Sequence, residues 1–429
     1  MKKNTLGTYI AYLLPFELVA TIGASGLFQQ YFAKYYSVIQ IQPLAFLVFL
    51  IYILKKTPKI KLSSWIIMLL FLFVGFYEVF FTIAAGSGKI YLANMQLFFG
   101  FVFPATLFMY INALSESGKQ RFFANFYNGY SVYLIISLVI LFVYDNIFFD
   151  LLNLYGIGGA IISLRYNIDG SIFSLILGNV NKLSNYLVLL VILWPILVGK
   201  SNALNNRKIR KAYFTFVLVS SITLILLFSR LAIIILPFAL MLNCKYIIRC
   251  GNRNAVLVSL ASLLFIILLY VNGSLNILVE YLVQSRYIDG TSSGLLGTLN
   301  ERFMQLQEIF SRNTSFFSLT NGLGVGGYGE TTFGDVNAGS HNLFIDHYVS
   351  SGFISTFSLI IIFFNILILS IVRNNLIALI GVLVMFLLAI REFSFAYLYT
   401  TSMGGITFVL LIYSCTQCLY LRKSKETLI

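Results

Sequence analysis

Arg230 sits in LLFSRLAIIILP, between two apolar runs, with Ser229 as its only polar neighbour. A guanidinium with so little water around it normally faces a cavity or a partner, although a tight hairpin turn would also accommodate it. Arg302 lies in GTLNERFMQLQEIFSR, where Thr298 and Glu301 form the T-x-x-E of a capping box. Phe303, Leu306 and Phe310 then recur at helical spacing, with Gln305 and Glu308 between them. The spacing predicts a short amphipathic helix from near 299, with Arg302 in its first turns. Guanidinium groups bind phosphate through paired hydrogen bonds, and helix N-termini favour anions. A surface helix with an ordinary charge pattern is the plainer alternative. Arg165, in SLRYNIDGSIFSLILGNVNKLSN, is a third cation of this kind, in a loop whose polarity alone could explain it.

His341 is one of 2 histidines. It follows Ser340, which could cap a helix running through NLFIDHYVSS into the tenth span, and it precedes Asn342. The pattern puts His341 in the first turn of that helix, at the membrane surface. A neutral imidazole there could accept a proton or hold a substrate hydroxyl; serving as a polar anchor is its commoner role. His347, beside Asp346, falls on a different face. With no H-E-x-x-H, no nearby cysteine and no carboxylate cluster, neither a metal nor another cofactor is expected. Glu17 and Glu78 are acids inside apolar runs, able to relay protons or to pair with interface cations.

Upstream of His341, Gly324, Gly326 and Gly329 fit G-x-G-x-x-G. A dinucleotide loop needs a surrounding strand–helix–strand unit and a later ribose-binding acid. No strand–helix–strand pattern surrounds the run, and no G-K-[ST] marks a P-loop. Glycine permits positive φ and close backbone approach, so the run reads as a tight loop that lays His341 against the membrane.

The elements that must position these residues are membrane helices. Of the 429 residues 59% are hydrophobic and 10% charged, against about 25% charged in a soluble domain. Apolar runs long enough to cross a bilayer recur throughout, and in lipid the backbone must satisfy itself as helix or closed barrel. About twelve spans are predicted, at 8–27, 38–54, 64–85, 91–113, 129–147, 178–199, 212–229, 231–247, 255–272, 352–372, 375–390 and 402–421. The lysine-bearing start resembles a signal peptide but is read as an uncleaved first span. The net charge of +14 is assigned to topology rather than to nucleic acid. With both termini inside, inner segments hold 20 of the 29 Lys and Arg, leaving Lys34, Lys89, Arg165, Lys182, Arg230, Arg286, Arg302, Arg312 and Arg391; the positive-inside rule favours this orientation. Cys244, Cys250, Cys415 and Cys418 fall near inner ends, where disulfides are not expected. The expected fold class is thus all-α and polytopic. Residues 1–272 carry spans one to nine, 273–351 form one enlarged outer loop with short helices, and 352–429 carry the last three spans and an inner tail.

Four pieces, FSRLAIII (228–235), NERFMQLQEIF (300–310), NGLGVGGYG (321–329) and SHNLFIDHYVSSGF (340–353), come in an order and spacing that resembles the O-antigen polymerase and ligase superfamily. The resemblance implies a GT-C-like integral-membrane glycosyltransferase in the bacterial inner membrane, with its active site facing the periplasm. It implies polymerisation of undecaprenyl-diphosphate-linked oligosaccharide repeats, donor and acceptor both lipid-linked, by inverting transfer without metal. Arg230, Arg302 and Arg165 would bind the diphosphate, His341 would orient or deprotonate the acceptor hydroxyl, and Ser340 and Asn342 would support it. Membrane lipids, a chain-length regulator and a flippase of the same pathway would be its partners. The ligase of the same superfamily is not separated from the polymerase by these motifs. A twelve-span flippase or transporter is the reading from another class; the long outer loop and the outward clustering of cations argue against it.

Overall fold

The computed structural model describes residues 6–16, 41–58, 60–86, 89–144, 180–197, 207–227, 235–242, 322–325, 342–391, 393, 395 and 402–417. Among these residues all regular structure is helical. In chain order the elements are α1 (Leu6–Leu13, continuing as a 3-10 turn Leu14–Phe16), α2 (Ile41–Lys55), α3 (Leu62–Ala84), α4 (Ile90–Gln96), a π-helical turn (Leu97–Val102) and α5 (Phe103–Ala113). After these come α6 (Glu116–Tyr144), α7 (Val180–Leu197), α8 (Arg207–Leu227), α9 (Leu343–Val372), α10 (Leu376–Arg391) and α11 (Met403–Thr416).

Among the described residues, 4 helical stretches are long and apolar enough to cross a membrane: Leu62–Ala84, Ile90–Ala113, Glu116–Val139 and Leu343–Val372. Their surfaces suit lipid. On α3, Leu69, Phe73, Phe76 and Phe80 are exposed while Ser64, Glu78 and Thr82 are buried. A helix in water would reverse that arrangement. Many buried hydroxyls are satisfied locally: Thr106, Ser131, Ser137, Thr223, Ser370, Thr407 and Ser414 each donate to the carbonyl four residues back.

Two groups of helices share one core. In the first, α6 packs against α1 and α8. Tyr127 of α6 donates to the Leu190 carbonyl of α7 at 2.9 Å, and Trp194 of α7 stacks on Tyr213 of α8 with ring centroids 3.5 Å apart. In the second, α3 packs along α9, which also meets α10, while α7 and α11 close the other side of α10. Asn375 caps α10 by accepting from Ala378 N, and its amide donates to Ser414 and Gln417 carbonyls at the end of α11.

The helices at 41–55, 62–84, 90–113, 180–197 and 376–391 match the sequence expectation within a few residues, while α8 starts at Arg207 rather than 212 and α11 ends at Thr416 rather than 421. Two helices differ more. α6 begins at Glu116 rather than near 129. Its first three turns, ESGKQRFFANFYN, are too polar to register as a span, yet they are good helix material, with Lys119 and Glu116 paired at 2.9 Å one turn apart.

The other is α9, expected as a helix through NLFIDHYVSS running on into a span at 352–372. It begins at Leu343, and Gly352 interrupts it with φ 75° and ψ −169°. In a continuous helix Phe344 and Phe363 would lie about 28 Å apart. Their ring centroids are 5.5 Å apart, and the Thr356 hydroxyl reaches the Phe344 carbonyl at 3.4 Å. The chain therefore reverses at Gly352. A short arm, 343–351, folds back along a long arm, 353–372. The long arm, about 30 Å, is enough to span a bilayer. The short arm starts beside the middle of the long one.

Candidate functional site: a buried acid and imidazole at the elbow of α9

Breaking a helix in lipid leaves carbonyls without their i+4 partners, and each must find another donor. At the Gly352 elbow those donors come from the glycine run. Leu323 N donates to Val349 O at 2.7 Å and Gly324 N to Ser350 O at 2.9 Å. Gly322 and Gly324 take φ of 67° and 82°. A Cβ on Gly322 would lie 2.6 Å from Ser350 C, Ser351 N and Gly352 N, so only glycine fits against this elbow. Val325 N then donates to Thr82 Oγ1 on α3 at 2.9 Å, and Thr82 Oγ1 donates to Glu78 O at 2.8 Å. The loop is thereby tied to both α9 and α3.

One turn before Thr82, the Glu78 side chain points into the α3–α9 contact and is 5% exposed. Gln96 Nε2, at the start of the π-helical turn, donates to Glu78 Oε2 at 2.8 Å. Ser350 lies near the same carboxyl, and the charge of Asp346 acts on it. His347 Nδ1 stands 4.0 Å from Glu78 Oε1, beyond hydrogen-bonding distance. Nδ1 is buried without a hydrogen-bond partner. Phe101, near-perpendicular to the imidazole, and Phe395, tilted against it, flank the ring with centroids at 6.2 and 5.6 Å. Gly75 makes room for Phe101 one turn before Glu78, since a Cβ there would meet that ring at 2.6 Å. The extra residue of a π turn rotates the helix beyond it; here it lets Gln96 and Phe101, on successive turns, both face α3.

The arrangement is chemically an acid and a base, 4.0 Å apart, in a site walled by aromatic rings. Among the described residues no lysine or arginine pairs with Glu78. No group of three or more metal-ligating side chains gathers among them either.

Of the candidate site residues in the sequence, Asn342 is described. It is the N-cap of the short arm, accepting from Phe344 N and Ile345 N at 3.0 and 3.3 Å. The cap is thus two residues later than the Ser340 cap expected from sequence, and the helix starts at Leu343, after His341 rather than around it. Its start lies beside the middle of the long arm, not at an outer end. Arg230, Arg302, Arg165, His341, Ser340 and Glu17 lie outside the described residues, as do the helix expected near 299 and the ninth span. Glu78, for which the sequence allows either a proton relay or a cation partner, meets Gln96 and His347 rather than an interface cation. His347, on a different face from His341 in the sequence pattern, is the imidazole that the fold brings to an acid. The sequence signal for both is their type: an acid in an apolar run and one of 2 histidines.

No family model matches the chain, and no curated protein matches it in sequence.

Proposed function

We propose that the chain is an integral-membrane glycosyltransferase of the O-antigen polymerase class. It joins oligosaccharide repeats carried on undecaprenyl diphosphate into a surface polysaccharide at the outer face of the inner membrane, with about twelve spans and both termini inside. The observation that carries this reading is the order of the four sequence pieces at 228–235, 300–310, 321–329 and 340–353. The elbow supports it, because the third and fourth pieces meet there through backbone hydrogen bonds and act as one unit.

In the reaction a hydroxyl of one lipid-linked repeat attacks the anomeric carbon of the other chain. The bond from that carbon to the diphosphate oxygen breaks, and configuration inverts. His341 takes the hydroxyl proton. Charge developing on the leaving diphosphate requires fixed cations. The short arm's own N-terminus supplies little, since Asn342 already occupies two of its amides and Asp346 stands in its first turn. Arg230 and Arg302, with Arg165 third, therefore carry the diphosphate.

The test is the surface-glycan ladder of a deletion strain complemented with variants. Deletion gives product with a single repeat and no ladder. His341→Ala, Arg230→Ala and Arg302→Ala each abolish the ladder at normal protein levels; a full ladder from all three refutes the site. Long lipid-linked chains left without an acceptor would instead identify a ligase. The buried acid and imidazole favour a second reading, a proton-coupled flippase or transporter, and that reading predicts single lipid-linked repeats held on the inner leaflet.

A further inference from the structure

We infer that Glu78 and His347 form a proton-binding site between α3 and the short arm of α9, holding one proton that either residue can carry. The site goes beyond glycosyl transfer. Three observations carry it. Glu78 Oε2 is taken by Gln96, which leaves Oε1 turned toward the imidazole. His347 Nδ1, on a side chain 4% exposed, has no hydrogen-bond partner and faces that oxygen at 4.0 Å. The rings of Phe101 and Phe395 shut the imidazole in, so that water does not screen the pair.

In such surroundings a lone carboxylate or a lone imidazolium is strongly unfavourable, whereas a pair holding one proton is neutral overall. A small side-chain rotation closes 4.0 Å to the roughly 2.8 Å of a hydrogen bond. The step is balanced: the O–H bond of the Glu78 carboxyl breaks, an N–H bond forms at His347 Nδ1, and carboxyl plus imidazole becomes carboxylate plus imidazolium at unchanged total charge. Asp346, on the short arm itself, is the one charged group among the described residues that acts on Glu78. α3 adds the Thr82 hydroxyl, the π-helical turn and its start add Gln96 and Phe101, and the segment before α11 adds Phe395, none of them charged. Occupancy by one proton holds the short arm against α3; loss or gain of a proton leaves a bare buried charge and loosens that contact.

The experiment uses the full-length protein in lipid nanodiscs and dicyclohexylcarbodiimide, an apolar reagent that adds to protonated carboxyls. Adducts are located by peptide mass spectrometry across a pH series. An N-acylurea forms on Glu78 with a yield that falls as pH rises. In His347→Gln, and in His347→Asn should the first variant fail to fold, the half-maximal pH moves by about one unit or more. Absence of a Glu78 adduct at every pH, or superimposable profiles in wild type and variant, overturns the assignment. The glycan ladder tests transferase activity and the adduct tests the proton site, so failure of one is distinguishable from failure of the other.

Discussion

A methyl group on Gly322 would have nowhere to go. The backbone there is left-handed, and the added carbon would press on three backbone atoms of the elbow. Backbone cannot swing aside as a side chain can. Gly322→Ala therefore lowers stability by about 3 kcal/mol, combining the left-handed penalty with overpacking. Thermal unfolding of the purified protein in detergent measures it; an unchanged midpoint refutes the elbow geometry. At this scale the sequence shows which residue types are out of place and not what they touch. Glu78 is visible as an acid in an apolar run. Its partner His347 is visible only as a histidine near Asp346, because the two are joined by packing of α3 on α9, which no local spacing encodes. The glycine run is legible in kind, as a loop needing positive φ, but its target is not.

Among the elements, α9 departs furthest from expectation. Hydropathy reports how apolar a run is and is blind to a reversal inside it, so SSGFISTF reads as the start of a span and not as a corner. The reversal makes a sharp prediction. With the four native cysteines replaced by serine, Phe344→Cys and Phe363→Cys are joined within one chain by a short bifunctional thiol reagent, detected as a crosslinked peptide. A straight helix would hold them about 28 Å apart and give no such product. The regular spans are legible because an apolar run of fixed length is what a bilayer demands. The early start of α6 is not, since a helix leaving the membrane continues through polar residues that hydropathy discards.

At the scale of the whole molecule, the described residues place hydroxyls, Glu78 and His347 among the buried side chains and leave many Phe and Leu exposed. The Ile90–Ala113 stretch, about 36 Å long, is long enough to put its two ends on opposite sides of a bilayer. A membrane-impermeant maleimide labels Tyr91→Cys in intact spheroplasts, while Ser117→Cys, placed inside by the charge bias, is labelled only after permeabilisation. The reverse pattern refutes the orientation, and equal labelling of both refutes the span.

The elbow also constrains how the protein is made. The Val349 and Ser350 carbonyls accept from Leu323 and Gly324, and that loop is anchored in turn on Thr82. Every one of these partners precedes the elbow in the chain, so the ribosome delivers the receptor before the piece it receives. The short arm cannot rest in lipid by itself with carbonyls bare, and it can leave the insertion machinery only toward helices already in place. Assembly of this part of the protein is accordingly ordered from the N-terminus, with α3 as the surface that receives α9.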